Sequence, residues 1–353
     1  MKNKKIFYLL FVLFYAKTLM SQSKEIVKYY EYVNNAELLV IKDSFTNANS
    51  YYKMAFDINK KPFAIDIYNA TIIAMASKQY DLVIMNMTRL LKLGYDIENF
   101  KTNKMFLSFW KSKYGTKMKQ IKKITRPFYN RKYRNILLHM YEKDQHFRIK
   151  PNSYKLYDDT IRKIDKQNVR ELQYLIKRFG FPSEYKIGLY SDDVTTHPYE
   201  IIIIHQSSGP YQIFNFSSII RSAILSGEID NKTGAELIKR NDGVNYFDDF
   251  NLVNLKFDTV KVNIDSLTGL KDTVAYTFES GWGFFNIMPE QLEKYNQMRK
   301  TVMLESLEDF LQKVQYAEKN PILTFKIKAA KNTFSFSSYN DFLHAKGNLK
   351  LIE

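Results

Sequence analysis

Five polar side chains in the middle of the chain are the residues best suited to do chemistry. Asp144, Gln145 and Arg148 lie within five positions of one another, and on a helix Asp144 and Arg148 would share a face and could pair. Asn168 could add a hydrogen bond, and His205 follows four consecutive isoleucines, which predicts partial burial. His205 could therefore be a general base oriented by Asp144, as in a hydrolase or transferase.

The same five residues also suit a purely structural role, as a satisfied polar network that ties helices together. The sequence favours this second interpretation, because neither a nucleophile nor a metal site accompanies the cluster. The chain lacks a Gly-x-Ser-x-Gly elbow, a phosphate-binding Gly-x-x-x-x-Gly-Lys-Ser/Thr loop, a His-Glu-x-x-His pair and a glycine-rich dinucleotide fingerprint. Its five histidines are scattered. No cofactor or metal is predicted, and whether the chain is an enzyme stays open.

The N-terminus has the pattern of a cleavable export signal. Lysines are concentrated in residues 2–5, residues 6–16 are an unbroken apolar run, and Lys17 ends it. Such a run is too short to cross about 30 Å of hydrocarbon but matches a signal-peptide core. With Ser21 before the cut and Gln22 as the first mature residue, we expect a periplasmic, outer-surface or secreted protein with no transmembrane segment in the mature chain.

Composition narrows the class of protein further. The chain has no cysteine, which excludes disulfides, thiolate metal sites and cysteine nucleophiles. Apolar residues make up 45% of the sequence, including 26 Tyr and 26 Phe, as in a packed globular protein.

The positive charge is concentrated in one stretch. The net charge is +16, and residues 99–141 contain twelve Lys or Arg and no acid. Export argues against nucleic acid as a partner. An anionic envelope component could bind residues 101–134, although lysines on solvated helix faces are the simpler explanation.

Two stretches near the N-terminus predict helical hairpins. In residues 35–56 apolar residues recur three and four apart, with a break at Asp43-Ser44, and residues 66–91 repeat this with a break at Ser77-Lys78. Gly94 stands where a helix C-cap would be.

The two hairpins also align with each other. Leu39 falls on Ile73 at an offset of 34, and Phe45 falls on Tyr80 at an offset of 35. This period is typical of tetratricopeptide helix pairs.

The expected fold is mainly α. A signal peptide (residues 1–21) precedes a tetratricopeptide-like region (22–125) and a mostly helical domain (126–353), with a small β-hairpin or sheet near residues 251–285, where residues alternate. Propensity predicts a buried strand at residues 201–204, and residues 323–336 are a further candidate strand.

Residues from about 136 to 310 resemble a bacterial family, the domain of unknown function 6624. The resemblance is carried by Asp144-Gln145-x-x-Arg148, by Asp165 and Asn168 with Gly180-Phe181-Pro182-Ser183, by the apolar run ending at His205-Gln206, and by Met298-Arg299 with Leu304-Glu305-Ser306-Leu307 and Phe310. Lys239-Arg240 departs from the family's Asp-Arg. Similar family members carry an N-terminal Asp-x-Tyr-Asn-Ala motif, matched here by residues 66–70. The resemblance implies a helix at residues 201–204 and supplies no activity.

The sequence leaves three functions open. The first is an exported binding or scaffold protein that uses a helical-repeat surface for a protein or peptide. The second is an enzyme with His205, Asp144 and Arg148 in a cleft. The third is a binder of anionic envelope surfaces.

Overall fold

The computed structural model describes residues 24–190, 197–243, 252–264, 271–285, 289–320, 323–326, 331–336, 338–347 and 349–351. The predicted signal peptide lies outside these residues. No helix in the described ranges has both the length and the apolar character needed to cross a membrane.

The chain forms two compact units. The first unit comprises Met1–Phe247 with Met298–Ile327, and the second comprises Asp248–Gln297 with Lys328–Glu353. The sequence placed a boundary near residue 125, because two different helical patterns meet there. The helices on both sides of that point belong to the first unit.

Two helical hairpins begin the first unit, as the periodicity predicts. The first pairs α1 (24–41) with α2 (Phe45–Ile58), and the second pairs α3 (Ala64–Ala76) with α4 (Tyr80–Leu93). Gly94 ends α4 with a φ of 94°, and its N–H bonds the carbonyl of Leu90, so it is the predicted left-handed cap.

The loops of the two hairpins share one conformation. Asp43 and Lys78 occupy equivalent positions and have φ values of 53° and 57°. The next residue in each loop, Ser44 or Gln79, donates its N–H to a carbonyl five positions earlier, at 2.9 and 2.8 Å. The repeat seen in the sequence is therefore also a repeat of backbone geometry.

The hairpins contribute most of one hydrophobic core. Two short 3-10 segments (Ile97–Lys101 and Lys104–Phe106) lead to α5 (Leu107–Lys111) and α6 (Lys113–Ile124), and α6 packs on α4. The fully buried aromatic residues of this core are Tyr29, Tyr52, Phe100, Phe106 and Phe109.

Seven further helices surround a second core in the same unit. They are α7 (Arg131–Arg148), α8 (Ser153–Leu156), α9 (Asp158–Phe179), α10 (Glu184–Ile187), α11 (Pro198–Ile204), α12 (Ser217–Leu225) and α13 (Asn231–Asp242). Leu137, Leu172, Phe216 and Ile238 lie at its centre.

The strand that propensity predicts at residues 201–204 is wrong, because these isoleucines form the C-terminal half of α11. Pro198 opens the helix at its first turn, where a fixed φ favours helix and no N–H is needed. Ile202 and Ile203 are buried, and α11 packs on α7, α9 and α13. Tertiary packing has outweighed the intrinsic preference of isoleucine for strands.

The rest of the chain alternates between the two units. The described elements are β1 (Leu252–Ile264), β2 (Lys271–Phe285), α14 (Pro289–Lys300), α15 (Leu307–Lys319), β3 (Lys331–Phe336), α16 (Tyr339–Gly347) and β4 (Leu349–Leu351). The helix α15 belongs to the first unit.

The second unit contains a four-stranded sheet in the order β3-β1-β2-β4. The long strands β1 and β2 pair antiparallel, with Val260 opposite Tyr276, within the region where alternation predicts a hairpin. β3 pairs parallel to β1, and β4 antiparallel to β2. The strand predicted over residues 323–336 begins only at Lys331.

Candidate functional site

The structure brings the five predicted site residues together in the second core. Asp144, Gln145 and Arg148 lie in the last turns of α7, Asn168 comes from the middle of α9, and His205 is the C-cap residue of α11. Asp144 is 2% exposed. Three helices therefore converge on one carboxylate.

The Asp144 carboxylate is surrounded by donors. His205 Nδ1 lies 3.0 Å from Oδ2, Gln145 Nε2 donates to Oδ2 at 2.7 Å, and Asn168 Nδ2 donates to Oδ1 at 3.5 Å. Arg148 Nε lies 3.3 Å from Oδ2. Burial alone would raise the pKa of Asp144, but the hydrogen bond from His205 and the charge of Arg148 outweigh it and hold the pKa below its usual value.

Arg148 connects this carboxylate to a second one. Its guanidinium bonds Asp165 on α9 and the Tyr154 hydroxyl, the latter at 2.9 Å. Burial raises the pKa of Asp165, and the Arg148 hydrogen bond offsets only part of that rise. The planar fork of arginine suits such bridging between carboxylates. The sequence named Asp165 only as part of the family resemblance, and it completes the cluster.

His205 has the orientation of a general base. Its Nδ1 faces Asp144, and its side chain is 21% exposed. If Nδ1 carries the proton and donates to Asp144, Nε2 is the accepting nitrogen of the neutral ring. The arrangement can take a proton from water or from a hydroxyl group.

The cluster is poorly suited to a metal ion, although its residue types would allow one. Ligand atoms of Asp144, Asp165 and His205 all lie within 4.8 Å of one another. However, Arg148 already lies against both carboxylates, so a protein cation already neutralises part of their charge. The cluster is an ion network with one accessible histidine.

A second candidate site is a cavity in the first unit, which the sequence did not predict. It has a volume of about 340 Å³ and is lined by α1, α3, the start of α13 and residues 300–313. Its acidic lining residues are Glu31, Glu37, Asp66, Asp230 and Glu305, and its basic ones are Lys232, Lys300 and Lys313.

Buried ion pairs make up one wall of the cavity. Lys313 is 1% exposed, and its Nζ lies 2.6 Å from Glu37 Oε2 and 3.0 Å from Glu305 Oε1. Lys232 lies 3.2 Å from Glu305. Burial would raise the pKa of Glu305, but Lys232 and Lys313 outweigh it and hold the pKa far below its usual value.

Asp66 lies in the same wall but takes no part in these ion pairs. It is 7% exposed, and it accepts a hydrogen bond from the hydroxyl of Tyr29, which in turn accepts the Phe63 N–H at 3.2 Å. Across the ranges that the structure describes, no ion pair to Asp66 is present. Burial, and then the charge of Glu37, raise the pKa of Asp66 to about 8, so the carboxyl is mostly protonated at neutral pH.

The sequence held a partial signal for this cavity. Asp66 begins the Asp-x-Tyr-Asn-Ala motif, and Glu305 belongs to the closing motif of the resemblance. Both motifs belong to the family resemblance, and nothing local in the sequence shows that residues so far apart line one cavity.

The face formed by α1 and α3 is covered by the chain itself. Asn34 on α1 donates to Asp309 on α15 at 2.8 Å. Asn69 on α3 exchanges two hydrogen bonds of 2.9 Å with the backbone of Lys326. These contacts occupy the surface that a helical-repeat protein would offer to a peptide, and the cavity is the part that they leave open.

No protein-family model, curated protein or solved structure matches the chain. The resemblance of residues 136–310 to the domain of unknown function 6624 therefore stays a prediction.

Proposed function

We propose that this chain is an exported binding protein that holds a small ligand in the cavity beside α1 and α3. One observation carries the proposal: a cavity of about 340 Å³ whose wall holds the buried Asp66, a carboxyl with no ion-pair partner among the residues that the structure describes. Small-molecule sites have volumes of roughly 300–1,000 Å³ and place a few polar groups in an otherwise apolar lining. Ile65 and Leu304 are among the apolar lining residues.

The hairpins support a tetratricopeptide-like scaffold for this site. Their offset of 34 to 35 residues and their matching loops are typical of such repeats. Repeat proteins of this kind bind partners on a concave surface. Here α15 and residues 323–326 cover the face of α1 and α3, which favours a small ligand over the peptide or protein partner. The part of the proposal that says the protein is exported rests on residues 2–17, which have the pattern of a signal peptide.

A cavity-filling variant tests the proposal. In Leu304→Trp a large ring would occupy the cavity, and Leu225→Trp is the matched control because Leu225 is exposed on α12. We would screen the mature chain by ligand-observed NMR against small amines, carboxylates, amides and amino acids. We expect binding to the wild type and to Leu225→Trp, and its loss in Leu304→Trp. A ligand that binds all three equally, or none at all, overturns the proposal.

The geometry of His205 favours a second candidate function, general-base hydrolysis. The supporting observation is the Nδ1 contact of 3.0 Å to a buried carboxylate in a ring that stays partly exposed. Ester and phosphoester substrates would be tested against the wild type, His205→Gln and Asp144→Asn. Loss of turnover in both variants, with the fold retained, is the expected result. Equal turnover in all three would exclude this function.

A further inference from the structure

The charges around the cavity point to one class of ligand. We propose that the cavity binds a small organic cation, such as a protonated primary amine, whose ammonium group pairs with the carboxylate of Asp66. This inference rests on the proposed binding function and adds the chemistry of the ligand.

The lining of the cavity carries more acids than bases, in a chain whose net charge is +16. Two of the lining lysines already form ion pairs with protein carboxylates. Lys313 pairs with Glu37 and Glu305, and Lys232 pairs with Glu305. An anionic ligand would have to compete with these carboxylates for its partners. A cationic ligand would meet Asp66, which forms no ion pair with any residue in the described ranges.

The groups that face Asp66 come from two elements. From α1 come Tyr29, Tyr30 and Glu37, and from the region of α13 come Asp230 and Lys232. The Tyr29 hydroxyl is a neutral donor, and Lys232 is held 3.2 Å from Glu305. An ionised Asp66 would thus be a buried carboxylate without a full countercharge, which is costly. An ammonium group in the cavity would supply that countercharge.

Two neighbouring residues, Tyr30 and Asp230, support a cation that pairs with Asp66. Tyr30 is an aromatic lining residue, and aromatic rings attract cations. Asp230 is held at the N-cap of α13, where it accepts the N–H of Thr233 at 2.9 Å, so Asp66 is the better partner for a ligand. Apolar residues such as Val33 and Ile65 would contact a short carbon chain.

Cation binding would be coupled to proton release. Because burial raises the pKa of Asp66 to about 8, most of the unliganded protein carries a proton on this carboxyl at pH 7. The ammonium group binds the ionised form, so binding should release close to one proton and strengthen as pH rises towards 8. An amide or a carboxylate of the same chain length would not release this proton when it binds.

The experiment compares n-butylamine, butyramide and butyrate, which have the same chain length, on the full mature chain by NMR titration. We expect the amine to bind at least about tenfold more tightly than the other two. Asp66→Asn should remove this advantage, and Asp57→Asn should keep it, because Asp57 is an exposed acid on α2 paired with Lys53. Calorimetry at pH 7 in phosphate and in HEPES, neither of which is a primary amine, would measure the released proton in the wild type, independently of any variant.

The outcomes separate the two proposals. If butyrate or butyramide binds as tightly as the amine and Leu304→Trp abolishes this binding, the cavity is a binding site but its proposed preference for a cation is wrong. If the amine binds but Asp66→Asn has no effect and no proton is released, Asp66 is not the partner and the inference falls. If no probe binds, or Leu304→Trp changes nothing, the proposed function falls with it.

Discussion

Asp66 and Asp144 are both buried carboxyls, and their surroundings move their pKa values in opposite directions. Asp144 has His205 and Arg148 against its oxygens, and its pKa is lowered despite burial. Asp66 has a tyrosine hydroxyl and the repulsion of Glu37, and burial raises its pKa to about 8. A buried acid stays charged only where the protein supplies the opposite charge. Asp144 is therefore a structural anion, whereas Asp66 is available to a ligand.

The protonation of Asp66 makes folding stability depend on pH. The pKa of Asp66 in the folded protein, about 8, lies above the value of about 4 expected in the unfolded chain. Its contribution to stability is therefore fully present below about pH 4 and is lost as pH rises through about 8. We expect the Tm of the wild type to fall from pH 6 to 9 by roughly 5 °C more than that of Asp66→Asn. Thermal unfolding followed by circular dichroism measures this.

The matched control for this prediction is Asp57→Asn, which removes an exposed acid. Its pH profile between 6 and 9 should follow the wild type. Parallel profiles for the wild type and Asp66→Asn would show that Asp66 does not titrate in this range.

Lys313 lies between Glu37 and Glu305, and its replacement should lower the free energy of unfolding. Lys313→Met would leave Glu37 and Glu305 with Lys232 as the nearest remaining lysine. Breaking a buried ion pair from one side costs about 3–5 kcal/mol, so we expect a loss of this size in the free energy of unfolding, measured in urea at pH 7. Adding Glu37→Gln to Lys313→Met should recover part of it. A loss below about 1 kcal/mol would contradict the prediction.

At the scale of elements, two N-cap serines differ in whether their side chain accepts a backbone hydrogen bond. Ser306 opens α15, and its Oγ accepts the N–H of Asp309 at 3.1 Å. Ser183 opens the short α10 without a side-chain cap bond. We expect Ser306→Ala to lower the free energy of unfolding by about 1 kcal/mol and Ser183→Ala to leave it nearly unchanged. Chemical unfolding compares the two, and equal losses would count against the cap.

The sequence predicts those elements whose signals are local. The breaks at Asp43-Ser44 and Ser77-Lys78, and the cap at Gly94, follow from residues within one or two turns of each. At residues 201–204 the strand that propensity predicts is wrong and the helix that the family resemblance implies is present, because the state of this segment depends on the helices packed around it. The polar cluster was predictable, since each residue type is unusual in its apolar setting. The cavity was not, because Glu37 and Lys313 are 276 positions apart.

At the scale of the whole molecule, the basic stretch is mostly a solvated surface. Lys113, Lys117, Lys119 and Lys123 are exposed on α6, as the simpler reading of the sequence expects. Lys122 is an exception because it pairs with Asp96 and Glu98 at 3.0 and 2.9 Å. At the end of this helix and just beyond it, Ile124 and Phe128 are 80% and 85% exposed, a combination of apolar and basic groups that suits an anionic membrane surface.

Vesicle binding tests this surface. We expect the mature chain to be retained on vesicles rich in anionic lipid at low salt and released at high salt. Lys119→Glu with Lys123→Glu should abolish retention, while Lys60→Glu with Lys61→Glu, outside the stretch, should weaken it only slightly. Cosedimentation measures the bound fraction. Equal losses in the two double variants would indicate a response to net charge rather than to this surface.

The contacts between α1 and α15 also determine when the protein can fold. Asn34 and Asp309 are 275 positions apart and Glu37 and Lys313 are 276 apart, so these two polar contacts of the first helix form only after nearly the whole chain has been made. Closing such long loops is slow, and folds dominated by distant contacts fold slowly. The N-terminal hairpins thus stay incomplete during synthesis. If residues 2–17 are the export signal that the sequence predicts, the late formation of these contacts would leave the chain open to threading through an export channel.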